Sequence, residues 1–285
     1  VSEAADTLWL ARTPEGSWRC TTRGDAPGPN TAWEPIADPF AHASAELGDP
    51  ATLAAKAPAL GPARTLVGLR LLPPCLPQKV VGIGRNYRAH AEELGNEVPT
   101  TPLCFLKAPS CLIVSGDALA LPPGYERIDM ESELVAVIGR RARSIPAANA
   151  WQHVAGYLLG NDVSCRDLQK RDKQWTRAKG LDGFGPVSPF MRLVAPGWEL
   201  PVSELEIRGY LDDVPVQRGR VSDMIFSIPD LIEHLSDGMT LEPGDLIFTG
   251  TPAGVAALAP GQVVRIELGG LELGRLVTPI VGGGR

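Results

Sequence analysis

The sequence has no CxxC pair. Its five cysteines, Cys20, Cys75, Cys104, Cys111 and Cys165, are odd in number and scattered. That argues against a disulfide framework or a thiolate zinc site, and a reducing, cytoplasmic setting is the expectation. No apolar run approaches the length of a membrane span. The first residues, VSEAADTLWLARTPEG, lack the basic start and apolar core of a signal peptide. Positive charge is also in deficit: 27 Lys and Arg stand against 33 Asp and Glu, a net charge of −6. Neither nucleic acid nor an anionic membrane is an expected partner. There is no GxxxxGK[ST] loop and no GxSxG elbow, which weakens P-loop and serine-hydrolase readings. GIGRNY (Gly82 to Tyr87) begins like a dinucleotide fingerprint, but Tyr87 stands where the third glycine belongs and no long helix follows.

What is present is an ordinary globular composition over 285 residues, enough for one large domain or two smaller ones. The first 70 or so residues are rich in Ala, Pro and Gly, and Ala43 to Thr65 suggests irregular connection with one short helix. The Pro-rich turn in RLLPPCLPQKVVGIG marks a boundary near Leu72 to Pro77. It separates a small N-terminal domain (1–75) from a catalytic domain (76–285). The second part is dense in short strand candidates: KVVGIG, LCFLKA, ELVAVIG, VAGYLLGNDVS, LEIRGYLD, DLIFTG, VVRIEL and LGRLVTPIV. Asp212-Asp213 has the composition of a hairpin turn. The best helix is SIPDLIEHLSDGM, with Ser227 as N-cap and Pro229 in the first turn, and NYRAHAEELG has length for two turns. Strands and helices do not alternate regularly, so the expected class is a β-rich α+β fold.

RIDMESELVAVIG (Arg127 to Gly139) places Glu131 and Glu133 before an apolar run. Residues two apart on a strand share a face. Two like charges about 4 Å apart repel by roughly 4 kcal/mol at an effective dielectric near 20. A proton, a pair of basic groups or a bound cation would each offset that. Asp162 ends another apolar run, VAGYLLGND, and supplies a third carboxylate. Three oxygen ligands suit Mg²⁺ or Mn²⁺. A solvated strand edge is the plain alternative, and these residues alone leave the two evenly balanced.

His90 and Glu93 are neighbours if they lie on a helix. A carboxylate beside an imidazole fixes its tautomer and raises its basicity, as a general base requires. On spacing alone, an incidental exposed pair is the commoner outcome. His42, His153 and His234 have no such partner and are taken as structural or surface residues. RDLQKRDKQWTRAKGLDGFGP (Arg166 to Pro186) is charged yet keeps Trp175 and Phe184, and its Gln169 and Lys179 have the reach to touch a ligand. GDLIFTGTPAGV ends a strand in a Gly/Thr turn whose N–H groups and Thr251 hydroxyl suit a carboxylate, though a simple tight turn fits equally well.

Taken in order, GRNYRAHAEELG, PLCFLKAPS, ESELVAVIG, GNDVSCRDLQ, QWTRAKGLDGFGP, SDMIFSIPDLIEHLS and GDLIFTGTPAGV resemble the fumarylacetoacetate hydrolase superfamily over roughly Val80 to Val281. The resemblance is to its bacterial acylpyruvase and 2-hydroxyhepta-2,4-diene-1,7-dioate isomerase-like branch. It implies a β-roll core of mixed β-sandwich type, a small β-rich N-terminal domain and, commonly, a homodimer. It implies a metal on Glu131, Glu133 and Asp162: Mg²⁺ or Mn²⁺, with Ca²⁺ as a substitute. It also implies a lid segment carrying a His90–Glu93 dyad, Lys179 and Gln169 near the substrate, and Thr251 at a substrate carboxylate. Arg85 and Tyr87 of the GRNY segment are further substrate contacts on this basis. Two departures from the family pattern, Ala108 after the lysine of FLK and Gly183 in place of Thr or Ser, are expected to alter substrate shape.

The expected activity is metal-dependent hydrolysis of a C–C bond in an acylpyruvate- or fumarylacetoacetate-like diketo acid. His90 and Glu93 would activate water, and Lys179 would stabilise developing negative charge. The same enolate chemistry serves oxaloacetate decarboxylation and isomerisation of 5-carboxymethyl-2-hydroxymuconate-type dienoates, so shared motifs do not choose among them. A catalytically idle, metal-dependent 2-oxo-acid binding protein is the alternative of another class. The intact set of candidate residues argues against it.

Overall fold

The computed structural model describes residues 6–41, 43, 48–93 and 95–284, so His42 lies outside the described residues. Five short α-helices are present among them: α1 (Pro50–Lys56), α2 (Arg88–Glu93), α3 (Arg166–Asp172), α4 (Trp175–Lys179) and α5 (Ile228–Gly238). Strands dominate, as expected of a β-rich α+β chain. The largest sheet runs through Glu34–Ile36, Gly16–Arg23, Asp6–Thr13, Phe190–Leu193, Val154–Asn161, Ser132–Ile138, Leu246–Phe248, Val80–Gly84 and Leu103–Lys107. A five-stranded sheet is formed by Val214–Arg220, Glu206–Leu211, Val263–Gly269, Arg275–Gly282 and Leu119–Leu121. A third, small sheet joins Ser164–Cys165, Ile128–Met130 and Ala256–Ala257.

The strand Ser132–Ile138 is the centre of the molecule, and alternation explains its two roles. Leu134, Ala136 and Ile138 enter a core shared with Ile207, Val264 and Ile266 of the five-stranded sheet and with Leu231 and Leu235 of α5. Val135 and Val137 point the other way, into a second core with Leu158, Phe248 and Leu10. A strand buried on both faces carries a continuous apolar run instead of alternating polarity. This explains LVAVI.

The N-terminal strands join the large sheet directly, since Leu10 pairs with Met191 across Asp6–Thr13 and Phe190–Leu193. The Asp212-Asp213 turn forms with both residues at positive φ (51° and 64°), as a two-residue hairpin demands. α5 starts at Ser227 with a reciprocal capping box to Asp230. No helix among the described residues is long and apolar enough to cross a membrane.

Candidate active site

The stretch holding Glu131 and Glu133 is not one continuous strand. Ile128–Met130 belongs to the small sheet, Ser132–Ile138 to the large one, and Glu131 is the residue at which the chain changes sheets. The two carboxylates converge all the same, and the register explains why. Glu133 lies opposite Gly160, and Ser132 opposite Asn161. Glu131 and Asp162 continue that ladder, the Asp162 N–H donating to the Glu131 carbonyl at 2.9 Å. Cross-strand partners share a face, and so do residues two apart. Glu131, Glu133 and Asp162 therefore fall together, with Gly160 among them. A Cβ at Gly160 would stand 2.5 Å from Val135 and 2.6 Å from Phe248, so only glycine fits there.

Oxygens of the three carboxylates lie within 4.8 Å of one another, and all three residues are buried. Their surroundings differ. The Lys179 ammonium donates to Glu131 Oε2 and Asp162 Oδ2, each at 2.7 Å. Arg166 donates to Glu131 Oε1 at 2.6 Å and to Asp129 Oδ2 at 2.8 Å. Burial opposes the Glu131 charge, but Lys179, Arg166 and nearby His90 outweigh it and hold its carboxyl well below the usual range. Glu133 accepts only the Gly250 N–H, at 2.7 Å, and no ion pair reaches it among the described residues. Burial, then the charges of Asp162 and Glu131, hold Glu133 well above the ordinary carboxylate value. A buried carboxylate without a counter-charge, beside two others, is a donor set that fits a hard divalent cation.

Lys107 completes the cluster. It is 2% exposed. Its ammonium donates to Asp162 Oδ1 at 2.7 Å, to the Phe184 carbonyl at 3.0 Å and to the Lys179 carbonyl. All three protons are engaged, so Lys107 ties Asp162 to the end of α4, which carries Lys179. Sequence reasoning missed this role, and that of Arg166. The available signal was a lysine closing the apolar run LCFL, which a surface strand end explains equally well. Their burial is set by tertiary packing.

Glu131, alone of the three carboxylates, lines a cavity of about 480 Å³. Its walls include Arg85, His90, Glu93, Glu131, Gln169 and Lys179, six of the residues expected at the site. His90 Nδ1 is 3.4 Å from Glu93 Oε2, and both Glu93 oxygens accept the Gly254 N–H. The dyad is thus anchored to the TGTPAG turn. Gln169 Oε1 accepts a hydrogen bond from Arg166 at 3.0 Å.

Thr251 also lines the cavity, but its hydroxyl donates to the Ser132 carbonyl at 3.0 Å and accepts from Gln217 at 2.8 Å. The hydroxyl proton expected to meet a substrate carboxylate is used inside the wall. Tyr87 is placed behind that wall instead of on it. It is 3% exposed, bridges to Met224, and burial pushes its hydroxyl pKa up. Ala108 and Gly183 do not line the cavity either. Gly183 serves a turn at φ +79° that L side chains avoid.

A family model for the fumarylacetoacetate (FAA) hydrolase C-terminal domain matches residues 79–281. The chain belongs to the fumarylacetoacetate hydrolase family. Two solved structures of the family resemble it over nearly its full length. A 5-carboxymethyl-2-hydroxymuconate delta-isomerase from Mycobacterium smegmatis is 36% identical with a TM-score of 0.77, covering 99% of this chain and 100% of that one. A 2-hydroxyhepta-2,4-diene-1,7-dioate isomerase from Mycobacterium marinum is 35% identical with a TM-score of 0.79 and the same coverage. The mitochondrial oxaloacetate tautomerase FAHD2 of Oryza sativa subsp. japonica is 43% identical over 201 residues, 68% of this chain and 87% of its own length. The family is one of enzymes, and its members named here share an isomerising theme on different acids.

Proposed function

We propose that the chain is a divalent-cation-dependent enzyme that moves a proton on the carbon next to the keto group of a 2-oxo acid, interconverting keto and enol or dienol forms. The observation that carries this reading is that the His90–Glu93 dyad and Glu131, one carboxylate of the triad, line the same cavity. Glu93 orients His90 through Nδ1, which leaves Nε2 as the proton-transferring nitrogen. Glu131, Glu133 and Asp162 would hold Mg²⁺ or Mn²⁺, which as a Lewis acid stabilises negative charge on the 2-oxo oxygen. Lys179, fixed between Glu131 and Asp162, adds a cation beside that oxygen. Gln169 helps place the acid end. The isomerase and tautomerase names of the similar proteins support this chemistry.

C–C hydrolysis of an acylpyruvate is the second reading. It is favoured by the same dyad, because an imidazole oriented by a carboxylate also takes a proton from water. A proton NMR time course in D₂O separates the two, run with Mg²⁺ and again with EDTA on oxaloacetate, acetylpyruvate and a 2-hydroxydienoate. Metal-dependent deuterium entry at the carbon next to the keto group, without pyruvate release, supports proton transfer. Pyruvate and acetate from acetylpyruvate would establish hydrolysis instead. Neither exchange nor cleavage, from protein that binds Mg²⁺, would overturn both.

A further inference from the structure

Gln217 sits on the strand Val214–Arg220 of the five-stranded sheet, is 1% exposed and does not line the cavity. Its side chain nevertheless reaches two parts of the site. Oε1 accepts the Ser132 N–H at 2.8 Å. Nε2 donates to the Thr251 hydroxyl and to the Pro252 carbonyl, each at 2.8 Å. These partners fix which way the amide faces, because the N–H needs an acceptor and the carbonyl needs a donor. Ser132 stands between Glu131 and Glu133, whereas Thr251 and Pro252 belong to the TGTPAG turn. One buried amide thus ties the carboxylate strand to that turn.

Local structure aims it there. Gly209 pairs with Gln217 and Tyr210 with Pro215, so Val216 is the extra residue of a β-bulge. A bulge re-aims the side chains beside it. A Cβ at Gly209 would collide with Ser132 Oγ, and one at Gly254 would collide with the Val216 carbonyl oxygen. The two glycines let the carboxylate strand and the turn lie directly against the bulged hairpin.

The turn in turn serves both halves of the site. Its Gly250 N–H donates to Glu133 at 2.7 Å, and its Gly254 N–H donates to the two Glu93 oxygens at 3.0 and 3.1 Å. A shift of the turn would therefore disturb a candidate metal ligand and the partner of His90 together. We infer that Gln217 is a positioning residue that sets the carboxylate triad and the His90–Glu93 dyad through this one turn. Its bearing on catalysis rests on the proposed function, whereas the tie itself is a feature of the fold. Only an amide of this length supplies the set. Glutamate would turn an oxygen toward the Pro252 carbonyl, and methionine fills similar space but leaves the Ser132 N–H and the Pro252 carbonyl without this partner.

Gln217→Glu and Gln217→Met in the full chain test this with two readouts. The first is amide hydrogen exchange followed by NMR in EDTA. Exchange at Gly250 and Gly254 should quicken about tenfold or more relative to that at Leu231 and Leu235 of α5. A merely structural role would quicken all four by the same factor. The second is calorimetry with Mg²⁺ alone, where affinity should fall about tenfold or more, as it does when a partner of a metal ligand is lost. Gln217→Met adds no buried charge, so it carries the test if Gln217→Glu fails to fold. An unchanged exchange ratio in a folded variant would overturn the inference. Faster exchange in the turn with wild-type Mg²⁺ affinity would also overturn it, since the triad would not depend on Gln217. If the wild-type chain bound no Mg²⁺, the proposed cation dependence would fall, and the exchange ratio would still decide whether Gln217 holds the turn.

Discussion

Glu133 differs from its two neighbours in having no ion-pair partner among the described residues. That difference has a measurable consequence in metal-free protein. Its folded-state pKa is raised by burial and by the Asp162 and Glu131 charges. The unfolded chain therefore gives up this proton at lower pH than the folded chain does. The folded state binds more protons above the ordinary glutamate pKa, so stability falls as pH rises through that window. Thermal melts in EDTA from about pH 5 to about pH 8 should show a falling Tm. Glu133→Gln should flatten that trend and abolish the rise in Tm that Mg²⁺ brings. It should also cut metal-dependent turnover about 100-fold or more, as loss of a ligand does. A steep EDTA trend persisting in Glu133→Gln would assign the pH effect to another group. His90→Ala should lower kcat about 10²- to 10⁴-fold with metal affinity retained, which a metal titration beside steady-state kinetics checks. Glu93→Gln should cost less, because it removes the orienting partner and keeps the imidazole.

At the level of the element, much was legible in the sequence. All eight quoted strand segments form, and so does the Ser227-capped helix, because each had a local cause: apolar runs, turn residues or a cap. The cap should be worth about 1 kcal/mol. Ser227→Ala should lower the unfolding free energy by that amount in urea melts and leave turnover unchanged. Strand neighbours were less legible, since pairing joins distant segments. The break at Glu131 was not visible, because IDM and SELVAVI read as one extended run and only the sheets they enter separate them. The carboxylate triad and the dyad could be named from spacing and family resemblance. Lys107 and Arg166 could not, since their importance lies in being buried against carboxylates supplied by other segments. Thr251 lines the cavity, but the acceptor of its hydroxyl proton, Ser132, lies more than a hundred residues away.

Across the whole molecule, the N-terminal strands and the catalytic sheet share a core. Leu10 is fully buried with Val135, Val137, Leu158 and Phe248. Leu10→Ala should therefore destabilise the site-bearing sheet as well as its own strand, by about 2–5 kcal/mol. Calorimetry should show one transition moved to lower temperature. Two separated transitions, with only the first displaced, would mean that residues 1–75 unfold on their own.

The packing around Trp175 has one more consequence. Its ring is tilted 59° against Phe105 with centroids 5.3 Å apart, and it fills the space left by the missing Cβ of Gly84. Of the six tryptophans, Trp9, Trp18 and Trp33 are buried in the N-terminal cluster, Trp151 and Trp198 pack against the main core, and Trp175 is the one in the cavity wall. The protein thus carries a built-in optical probe. A ligand that neutralises the charges beside this indole should change its emission, and Trp175→Phe should silence the response while the other five continue to fluoresce.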